Sequence, residues 1–168
     1  MELFTEFMKE IKYKPIGIIY SPFKEPKGTP IQPTAGKGIE GTVEVFQEFE
    51  EGLKDLDGFS HIILIYHFHL SKGSSLEVIP FMDDQPRGLF STRAPRRPNP
   101  IGISIVQLKK IEGNILHVKD LDIVNETPLL DIKPYIPDFD MRDIHKIGWL
   151  EKNVNKISIL RDDGRFIK

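Results

Sequence analysis

The stretch from Phe59 to Leu70 constrains the fold more than any other part of this chain. Apolar residues recur along it with a period of two, which is typical of a β-strand. One predicted face carries Ile62, Leu64, Tyr66, Phe68 and Leu70. The other predicted face carries His61, Ile63, Ile65, His67 and His69. Because both faces are largely apolar, we expect this strand to be buried.

Several further short strands show the same alternation, while few segments have helical spacing. Strands are predicted over residues 13–20, 39–46, 88–91, 101–111, 115–121 and 127–135. The turn Glu112–Asn114 joins two of them in a hairpin, and short helices are predicted over 49–54 and 144–151. No alternation of strands with long helices occurs. The sequence therefore predicts a mainly β fold, a small antiparallel β-barrel with short flanking helices, which leaves no strand edge exposed.

The length of 168 residues is typical of one domain with at most a small appendage. A short N-terminal helix is predicted over residues 1–11, since one helical face there would hold Leu3, Phe4, Phe7, Met8 and Ile11. The barrel is expected over residues 12–140. Residues 141–168 are expected to form a tail packed on the barrel, ending in a hairpin that turns at residues 162–164.

Composition excludes several classes of site and location. The chain has no cysteine, so disulfides, zinc–cysteine sites and thiol nucleophiles are excluded. The longest apolar run, residues 62–66, is far shorter than the roughly 18 residues that a membrane span needs. The first ten residues are acidic and lack a basic start followed by an apolar run, so no secretory signal is expected. We therefore expect a cytoplasmic location and no membrane partner.

Charge is segregated along the chain although the net charge is only −2. Residues 85–111 contain no Asp or Glu but hold four of the seven arginines: Arg87, Arg93, Arg96 and Arg97. Residues 120–143 hold seven acidic residues against two basic ones. The two segments predict a cationic site beside an anionic one. The alternative is a pair of solvated surfaces that attract each other.

The segment from Ser91 to Gly102, STRAPRRPNPIG, is the most unusual string in the chain. Its three prolines fix the backbone angle φ and remove hydrogen-bond donors, which predicts a stiff loop. Arginine side chains are planar five-donor forks suited to phosphates, carboxylates and the faces of bases. We expect the loop to present Arg93, Arg96 and Arg97 to an anion or a nucleotide. In the alternative, Asn99 and the prolines form a turn and the arginines pair with the acidic segment.

A second segment with chemical potential is Thr127 to Pro137, TPLLDIKPYIP. In a strand, Asp131, Lys133 and Tyr135 would share one face. Such a trio can orient a polar substrate and accept a proton, but it can equally form an ion pair at a barrel rim. In the long loop after the first strand, the amide of Gln32 offers both a donor and an acceptor.

The histidines of the central strand raise the question of a metal site. His61, His67 and His69 share one predicted face, and H-x-H spacing occurs in metal sites borne on strands. However, no signature such as H-E-x-x-H places a carboxylate ligand beside them. We therefore favour histidines that form hydrogen bonds in the core or in a binding pocket, and we expect no metal.

Five strings over residues 12–140 are similar to one known family: KPIGIIYSPF, TPIQP, LDGFSHIILIYHFH, GLFSTRAPRRPNPIGISIVQL and TPLLDIKPY. In this order they resemble the TrmO family, also called TsaA-like or YaeB-like proteins. The resemblance implies a β-barrel methyltransferase that uses S-adenosylmethionine. Its implied substrate is the N6 nitrogen of threonylcarbamoyladenosine beside the tRNA anticodon, and its implied assembly is a homodimer.

The resemblance also assigns site residues. It implies cofactor contacts by Pro30, Ile31, Gln32, His69, Leu70, Arg93, Ile103, Asp122, Ile123, Val124 and Asn125. It places at the reaction end the catalytic candidates Asp131, Lys133 and Tyr135 and the tRNA-binding candidates Arg96, Arg97 and Asn99. Because an adenine amine is a weak nucleophile, a proton acceptor should assist it, and Asp131 is the first candidate.

One departure from the family pattern and two alternative functions accompany these expectations. The family often has Asp-Gly-Thr-Pro where this chain has Asn125-Glu126-Thr127-Pro128, which removes the glycine and adds a charge. A barrel that binds RNA or a nucleotide without catalysis is the first alternative function. A metal-dependent hydrolase that uses His61, His67 and His69 is the second.

Overall fold

The computed structural model of this chain describes residues 10–152 and 159–167. Within these ranges the strands are β1 (Gly17–Tyr20), β2 (Glu40–Val45), β3 (His61–His67), β4 (Glu77–Val78), β5 (Arg87–Gly88), β6 (Ile101–Glu112), β7 (Ile115–Lys119) and β8 (Thr127–Pro134). Six of them close into a barrel in the order β1-β2-β7-β6-β3-β8, and β4 and β5 form a separate two-stranded sheet. The predicted mainly β fold is confirmed.

Every neighbouring pair in the barrel is antiparallel. The barrel closes where β1 pairs with β8, with Gly17 opposite Leu129. The long strand β6 pairs with β3 along its first half and with β7 along its second half. A register shift between Leu108 and Lys110 lies where β6 passes from one partner to the other. Such a bulge adds twist, which allows one strand to turn the corner of a small barrel.

The barrel interior is filled by alternate residues of each strand. On β3 the inward row is Ile62, Leu64 and Tyr66, all buried as predicted. With side chains from the other strands, they form one continuous core. Burying an aliphatic side chain of this size contributes roughly 1.5 to 3 kcal/mol. The outward row of β3, residues 61, 63, 65 and 67, is only half-buried. The expectation that both faces are buried is therefore wrong for the outer face.

The predicted hairpin of residues 101–121 is present as β6 and β7. Gly113 in its turn has φ of 60°, a left-handed conformation that glycine adopts without a steric penalty. The side chain of Asn114 donates a hydrogen bond to the Val45 carbonyl at 2.7 Å, which ties this turn to β2.

Helical segments differ most from the sequence expectations. Gln47–Leu53 is a 3₁₀ helix, as are Pro33–Gly36, Leu56–Gly58, Leu89–Ser91 and Gly148–Lys152. The α-helix α1 (Pro137–Asp140) was not expected from the sequence. The helix predicted over 144–151 is present only in its second half, as the 3₁₀ helix Gly148–Lys152, which begins at Gly148 with φ of 60°. The strand predicted over 88–91 is also wrong, since β5 ends at Gly88.

The structure describes only parts of the elements predicted at the two ends of the chain. The helix predicted over residues 1–11 lies almost wholly outside the described residues. The first arm of the predicted C-terminal hairpin falls mostly outside them too, and in the described part Arg161 forms a bridge with Pro30 instead. The division into segments 1–11, 12–140 and 141–168 stays a prediction. No helix in the described ranges has the length and apolar character needed to cross a bilayer.

Candidate functional site

A cavity of about 270 Å³ opens at the end of the barrel where β3 ends and β6 and β8 begin. We call it the end cavity. Its walls come from Phe81 and from five segments that are distant in sequence: residues 26–32, 66–71, 92–103, 122–127 and 162–167. Ends of barrel strands are common ligand sites, because loops can vary there over a rigid scaffold.

The aromatic residues Tyr66 and Phe68 line the end cavity and depend on a glycine opposite them. Gly102 pairs with Tyr66 across the β3–β6 ladder. A Cβ atom on residue 102 would collide with the rings of Tyr66 and Phe68. With glycine there, the two rings pack edge to face with centroids 5.4 Å apart. The glycine of the RPNPIG string is thus required by close packing.

A chain of hydroxyl groups runs from the barrel interior to the end cavity. The Tyr66 hydroxyl lies 3.0 Å from Ser104 Oγ, and Ser104 donates to Asp122 Oδ1 at 2.6 Å. Because the single Ser104 hydrogen is used by the carboxylate, the hydroxyl of Tyr66 donates to Ser104. Both hydrogen bonds are therefore directed toward Asp122.

Asp122 is the electrostatic centre of the site. Burial raises its pKa to about 7, while the hydrogen bond from Ser104 and the charge of Arg93 act in the opposite direction. In the part of the chain that the structure describes, no cationic side chain forms an ion pair with Asp122. A carboxylate in this environment favours a positively charged ligand group, since burial is costly for an unpaired charge.

Arg93 and Gln32 connect two walls of the end cavity. The Arg93 guanidinium donates a hydrogen bond to Gln32 Oε1 at 2.9 Å, although 61 positions separate the two residues in sequence. Arg93 is otherwise exposed and carries no carboxylate partner among the residues described. A planar guanidinium in this position can bind a carboxylate or phosphate of a ligand.

His69 lies in the end cavity, apart from the other two histidines of the predicted metal set. β3 ends at His67, so His69 no longer follows the alternation of the strand. Its Nδ1 lies 3.4 Å from the hydroxyl of Thr127, which donates to the Val124 carbonyl at 2.7 Å. Burial and the neighbouring His67 lower the pKa of His69, so the ring is neutral at pH 7. Within the described ranges, no group of three or more potential metal ligands is assembled.

Most of the predicted cofactor residues meet at the end cavity. The predicted cofactor residues that line it are Pro30, Ile31, Gln32, His69, Leu70, Arg93, Ile103, Asp122, Ile123 and Val124. The exception is Asn125, which binds the loop after β1 instead. Its side-chain oxygen accepts a hydrogen bond from the Ser21 backbone amide at 3.0 Å, and its backbone amide donates to the Phe23 carbonyl at 2.7 Å.

The proline-rich loop places its three arginines differently. Arg97 lines the end cavity, whereas Arg96 and Asn99 do not. Arg97 donates hydrogen bonds to the carbonyls of Thr92 and Ala94 at 3.0 and 3.2 Å and thus holds the loop in shape. No ion pair joins these arginines to the acidic segment in the described part of the chain. That alternative from the sequence is therefore not supported.

The Asp131, Lys133 and Tyr135 trio lies away from the end cavity. Asp131 and Lys133 sit opposite Ile65 and Ile63 of β3 and so belong to the outer face of the barrel. Their side chains form an ion pair of 2.7 Å. With a rise of about 3.3 Å per residue, Asp131 is about 13 Å along β8 from Thr127, which lines the end cavity.

Asp131 instead lines a second hollow of about 580 Å³ toward the other end of β8. Apolar side chains dominate this hollow, among them Phe49, Leu53 and Ile132. The structure therefore does not bring the trio to the end cavity within one chain. Its predicted catalytic role stays a prediction, and the geometry favours the alternative of an ion pair at the rim.

Sequence reasoning missed several residues of the site. Tyr66, Phe68 and Gly102 line the cavity, and Asp162, Phe166 and Ile167 line it from the C-terminal segment. Ser104 does not line the cavity but donates a hydrogen bond to Asp122, which does. One signal was available for Ser104. It occupies an inward position of β6 between Gly102 and Val106, and a polar side chain in an inward row needs a polar partner.

Comparison with known proteins was decisive for the family. The profile of the tRNA-methyltransferase O N-terminal domain matches residues 18–141, well over half of the chain. The chain belongs to this family. The resemblance inferred from the RPNPIG and DIKPY strings is thus confirmed.

Two relatives of this family member show how far the likeness extends. A probable S-adenosyl-L-methionine-binding protein of Pyrococcus abyssi is 65% identical over 156 residues, which cover 93% of this chain and 85% of that protein. The human tRNA (adenine(37)-N6)-methyltransferase is 34% identical over 134 residues, which cover 76% of this chain but 30% of that protein.

Solved structures of the family agree with the barrel. TrmO from Pseudomonas aeruginosa superposes with a TM-score of 0.70 at 34% sequence identity. The match covers 83% of this chain and 62% of that one. This family member therefore spans less than two thirds of that solved chain.

Proposed function

We propose that this family member binds S-adenosylmethionine in the end cavity and transfers its methyl group to N6 of threonylcarbamoyladenosine beside a tRNA anticodon. One observation carries the proposal: Asp122, a carboxylate that lines the cavity and forms no ion pair among the described residues. The names of the Pyrococcus and human relatives support the donor and the acceptor, respectively.

The residues present fit the donor. S-adenosylmethionine has a cationic sulfonium, an amino acid end with both charges, and a flat purine. Asp122 offers a negative charge, and Arg93 and Gln32 offer donors beside it. Pro30, Ile31 and Ile123 supply apolar surface. When bound, the donor supplies a methyl group on positively charged sulfur.

The chain's own residues would then position the reactants and accept a proton. The adenine amine needs an unprotonated acceptor close to the methyl group as its proton is lost. His69 is such a group, because it lines the end cavity and its lowered pKa keeps the ring neutral. Asp131 remains a candidate acceptor only if the RNA or a second copy of the chain brings the outer face of β8 to the reacting atoms.

The proline-rich loop is our proposed contact for the RNA. Phe90 at its start is 76% exposed, and the guanidinium of Arg97 lies 5.8 Å from the centroid of its ring. Exposed aromatic rings stack on unpaired bases, and arginines bind the phosphates that join them. We therefore propose that Phe90, Arg96, Arg97 and Asn99 contact the anticodon loop.

The proposed homodimer would use the outer face of β6. Ile101, Ile103 and Ile105 are 40%, 53% and 40% exposed in one row there. A row of exposed isoleucines is costly in water, and a second copy would cover it. Sedimentation analysis of Ile105→Glu should give a monomer if this face pairs. The matched control, Leu76→Glu at another exposed apolar side chain, should leave the mass unchanged. A wild-type monomer would reject the dimer.

Transfer of labelled methyl groups tests the activity. The full chain is incubated with S-adenosylmethionine carrying a labelled methyl group and with tRNA that does or does not contain threonylcarbamoyladenosine. Mass spectrometry of the nucleosides should show the label on N6 of the modified adenosine only. Label in both tRNAs would reject this substrate, and absence of label despite donor binding would reject catalysis.

The second candidate function is donor binding without methyl transfer. The Pyrococcus relative and an Archaeoglobus fulgidus relative, 40% identical over 147 residues, are both named only as probable S-adenosyl-L-methionine-binding proteins. Donor binding without transfer to any tRNA would favour this function. The metal-dependent hydrolase is not supported, since His61 and His67 lie at opposite ends of β3 while His69 lies in the end cavity.

A further inference from the structure

The C-terminal segment, residues 159–167, borders the end cavity although it lies outside the family match of residues 18–141. Three of its residues line the cavity: Asp162, Phe166 and Ile167. A wall that comes from outside the matched domain is a feature that the family assignment does not explain.

One anchor attaches the C-terminal segment to the loop after β1. The Gly28 amide donates to the Asp162 carbonyl at 2.7 Å, and the Asp162 amide donates to the Thr29 carbonyl at 2.8 Å. Next to these bonds, Arg161 pairs with Pro30 in an antiparallel bridge. Because Thr29 and Pro30 also line the end cavity, this pairing holds two of its walls together.

A second anchor is Phe166, which is buried in a small core of its own. It packs with Val78, Leu89 and Ala94. Its ring lies edge to face against Phe81, with centroids 5.0 Å apart. Phe81 lines the end cavity too, so the two rings form one aromatic wall.

Arg165 fastens the same region from outside. It donates to the Pro80 carbonyl at 3.1 Å, and its guanidinium lies 5.0 Å from the centroid of the Phe81 ring. It also binds the carboxylate of Asp163 at 2.6 Å. The segment is thus held at several points, whereas Asp163 pairs with Arg165 inside the segment and does not line the cavity.

Asp162 places a second carboxylate at the cavity. Its Oδ1 accepts a hydrogen bond from the Gly164 amide at 2.6 Å. Among the residues that the structure describes, no cationic group forms an ion pair with it. A carboxylate beside apolar rings accepts hydrogen bonds from ligand hydroxyls, as acidic residues do with ribose.

We propose that the C-terminal segment forms the wall that holds the nucleoside half of the donor, with Phe166 and Ile167 against the ring system and Asp162 accepting a hydrogen bond from a ribose hydroxyl. The inference rests on the proposed function, because that function names the donor. The amino acid half of the donor is then bound by Arg93, Gln32 and Asp122, which together offer a positive and a negative charge.

Calorimetric titration of the full-length chain with two compounds tests the inference. S-adenosylmethionine contains both halves of the donor, whereas 5′-methylthioadenosine contains the nucleoside half alone. Asp162→Asn keeps an oxygen for the Gly164 amide, and Phe166→Leu keeps an apolar side chain in the small core. We expect each substitution to weaken both compounds about tenfold, the change that loss of one good ligand contact produces.

Two control variants show which half of the donor a residue contacts, and a stability measurement identifies variants that have lost their fold. Asp163→Asn changes the neighbouring carboxylate, which lies outside the cavity, and should leave both affinities within twofold. Asp122→Asn should weaken S-adenosylmethionine and leave 5′-methylthioadenosine unchanged. Thermal unfolding of each variant shows whether it remains folded at the titration temperature.

Each outcome of the titrations decides a separate claim. Wild-type affinities in Asp162→Asn and Phe166→Leu would overturn the inference while leaving the proposed function intact. A wild-type chain that binds 5′-methylthioadenosine but not S-adenosylmethionine would overturn the proposed function. Titrating the same two variants with 5′-methylthioadenosine would then test whether the C-terminal segment binds the nucleoside. A wild-type chain that binds neither compound would overturn both.

Discussion

The hydroxyl of Ser104, buried inside the barrel, donates to the carboxylate of Asp122 at the end cavity across 2.6 Å. This hydrogen bond connects the rigid core of the barrel to a cavity carboxyl whose pKa is raised by burial to about 7. Because Tyr66 donates to Ser104 in turn, the position of Asp122 depends on the β3–β6 ladder and not on loops alone.

Donor binding should strengthen as the pH rises through the pKa of Asp122, about 7. Below that pH the carboxyl is mostly neutral and cannot pair with a cationic donor. Burial raises the pKa of Tyr66, so its hydroxyl stays neutral, and burial together with the neighbouring His67 lowers the pKa of His69. We expect the Kd for S-adenosylmethionine to be about tenfold weaker at pH 6 than at pH 8. Calorimetry in two buffers of different ionisation enthalpy measures the affinity and the proton released.

The matched control for this pH dependence is Asp122→Asn, which should bind the donor with an affinity that changes less than twofold over the same range. A wild-type Kd that is equal at pH 6 and pH 8 would show that Asp122 does not face the cationic group.

Asp122→Asn should also change stability in a pH-dependent way. The pKa of Asp122 is raised in the folded state, so its favourable contribution is present at pH 4 and is lost as the pH rises through about 7. We expect the variant to be more stable than wild type at pH 8 by about 1 to 2 kcal/mol, allowing for solvent screening, and little different at pH 4. Urea unfolding at both pH values measures this. A stability gain at pH 4 that equals the gain at pH 8 would contradict the raised pKa of Asp122 in the folded state.

How much of this site the sequence predicts depends on the range of the interaction. The alternation in β3 and the turn at Gly113 are local, and both were predicted correctly. The contact of Ser104 with Asp122 was not predicted, because it depends on how β6 meets the loop after β7. Phe166 joins the cavity only through contacts with residues more than 70 positions away.

The placement of Asp131 shows a different limit. Sequence spacing correctly puts Asp131 and Lys133 on one face of β8, as their ion pair shows. It does not reveal that this face is the outside of the barrel. The register shift that places Leu129 opposite Tyr66 but Asp131 opposite Ile65 is set by pairing with β3 and is not encoded in the spacing of polar residues.

Gly102→Ala should disturb the aromatic floor of the end cavity. An added methyl group would collide with the rings of Tyr66 and Phe68, and Tyr66 would have to move away from Ser104. We expect a loss of about 1 to 3 kcal/mol in unfolding free energy, as for overpacked cores. The control is Gly88→Ala, where nothing lies within 4 Å of the added atom. Equal stability of the two variants would mean that the close packing at residue 102 is not required.

Glu126→Gly should stabilise the chain. Glu126 has φ of 62°, a left-handed conformation that disfavours residues with a Cβ atom. Removing the strain, less the extra chain entropy of glycine, should add about 0.5 to 1 kcal/mol to the unfolding free energy. Glu126→Ala removes the same charge but keeps the Cβ atom, so it should give no such gain. If both variants are stabilised equally, charge and not backbone conformation is the cause.

The identity of the proton acceptor can be decided with three alanine variants. His69 lines the end cavity, whereas His67 lies two residues earlier on the outer side of β3. Asp131 lies about 13 Å along β8 from Thr127, which lines the end cavity. With donor and tRNA saturating, His69→Ala should lower the single-turnover methylation rate about 100-fold, the lower range for loss of a general base. His67→Ala and Asp131→Ala should stay within threefold of wild type. A large loss in Asp131→Ala with a normal rate in His69→Ala would return the acceptor role to Asp131 and would require the outer face of β8 to reach the reacting adenine.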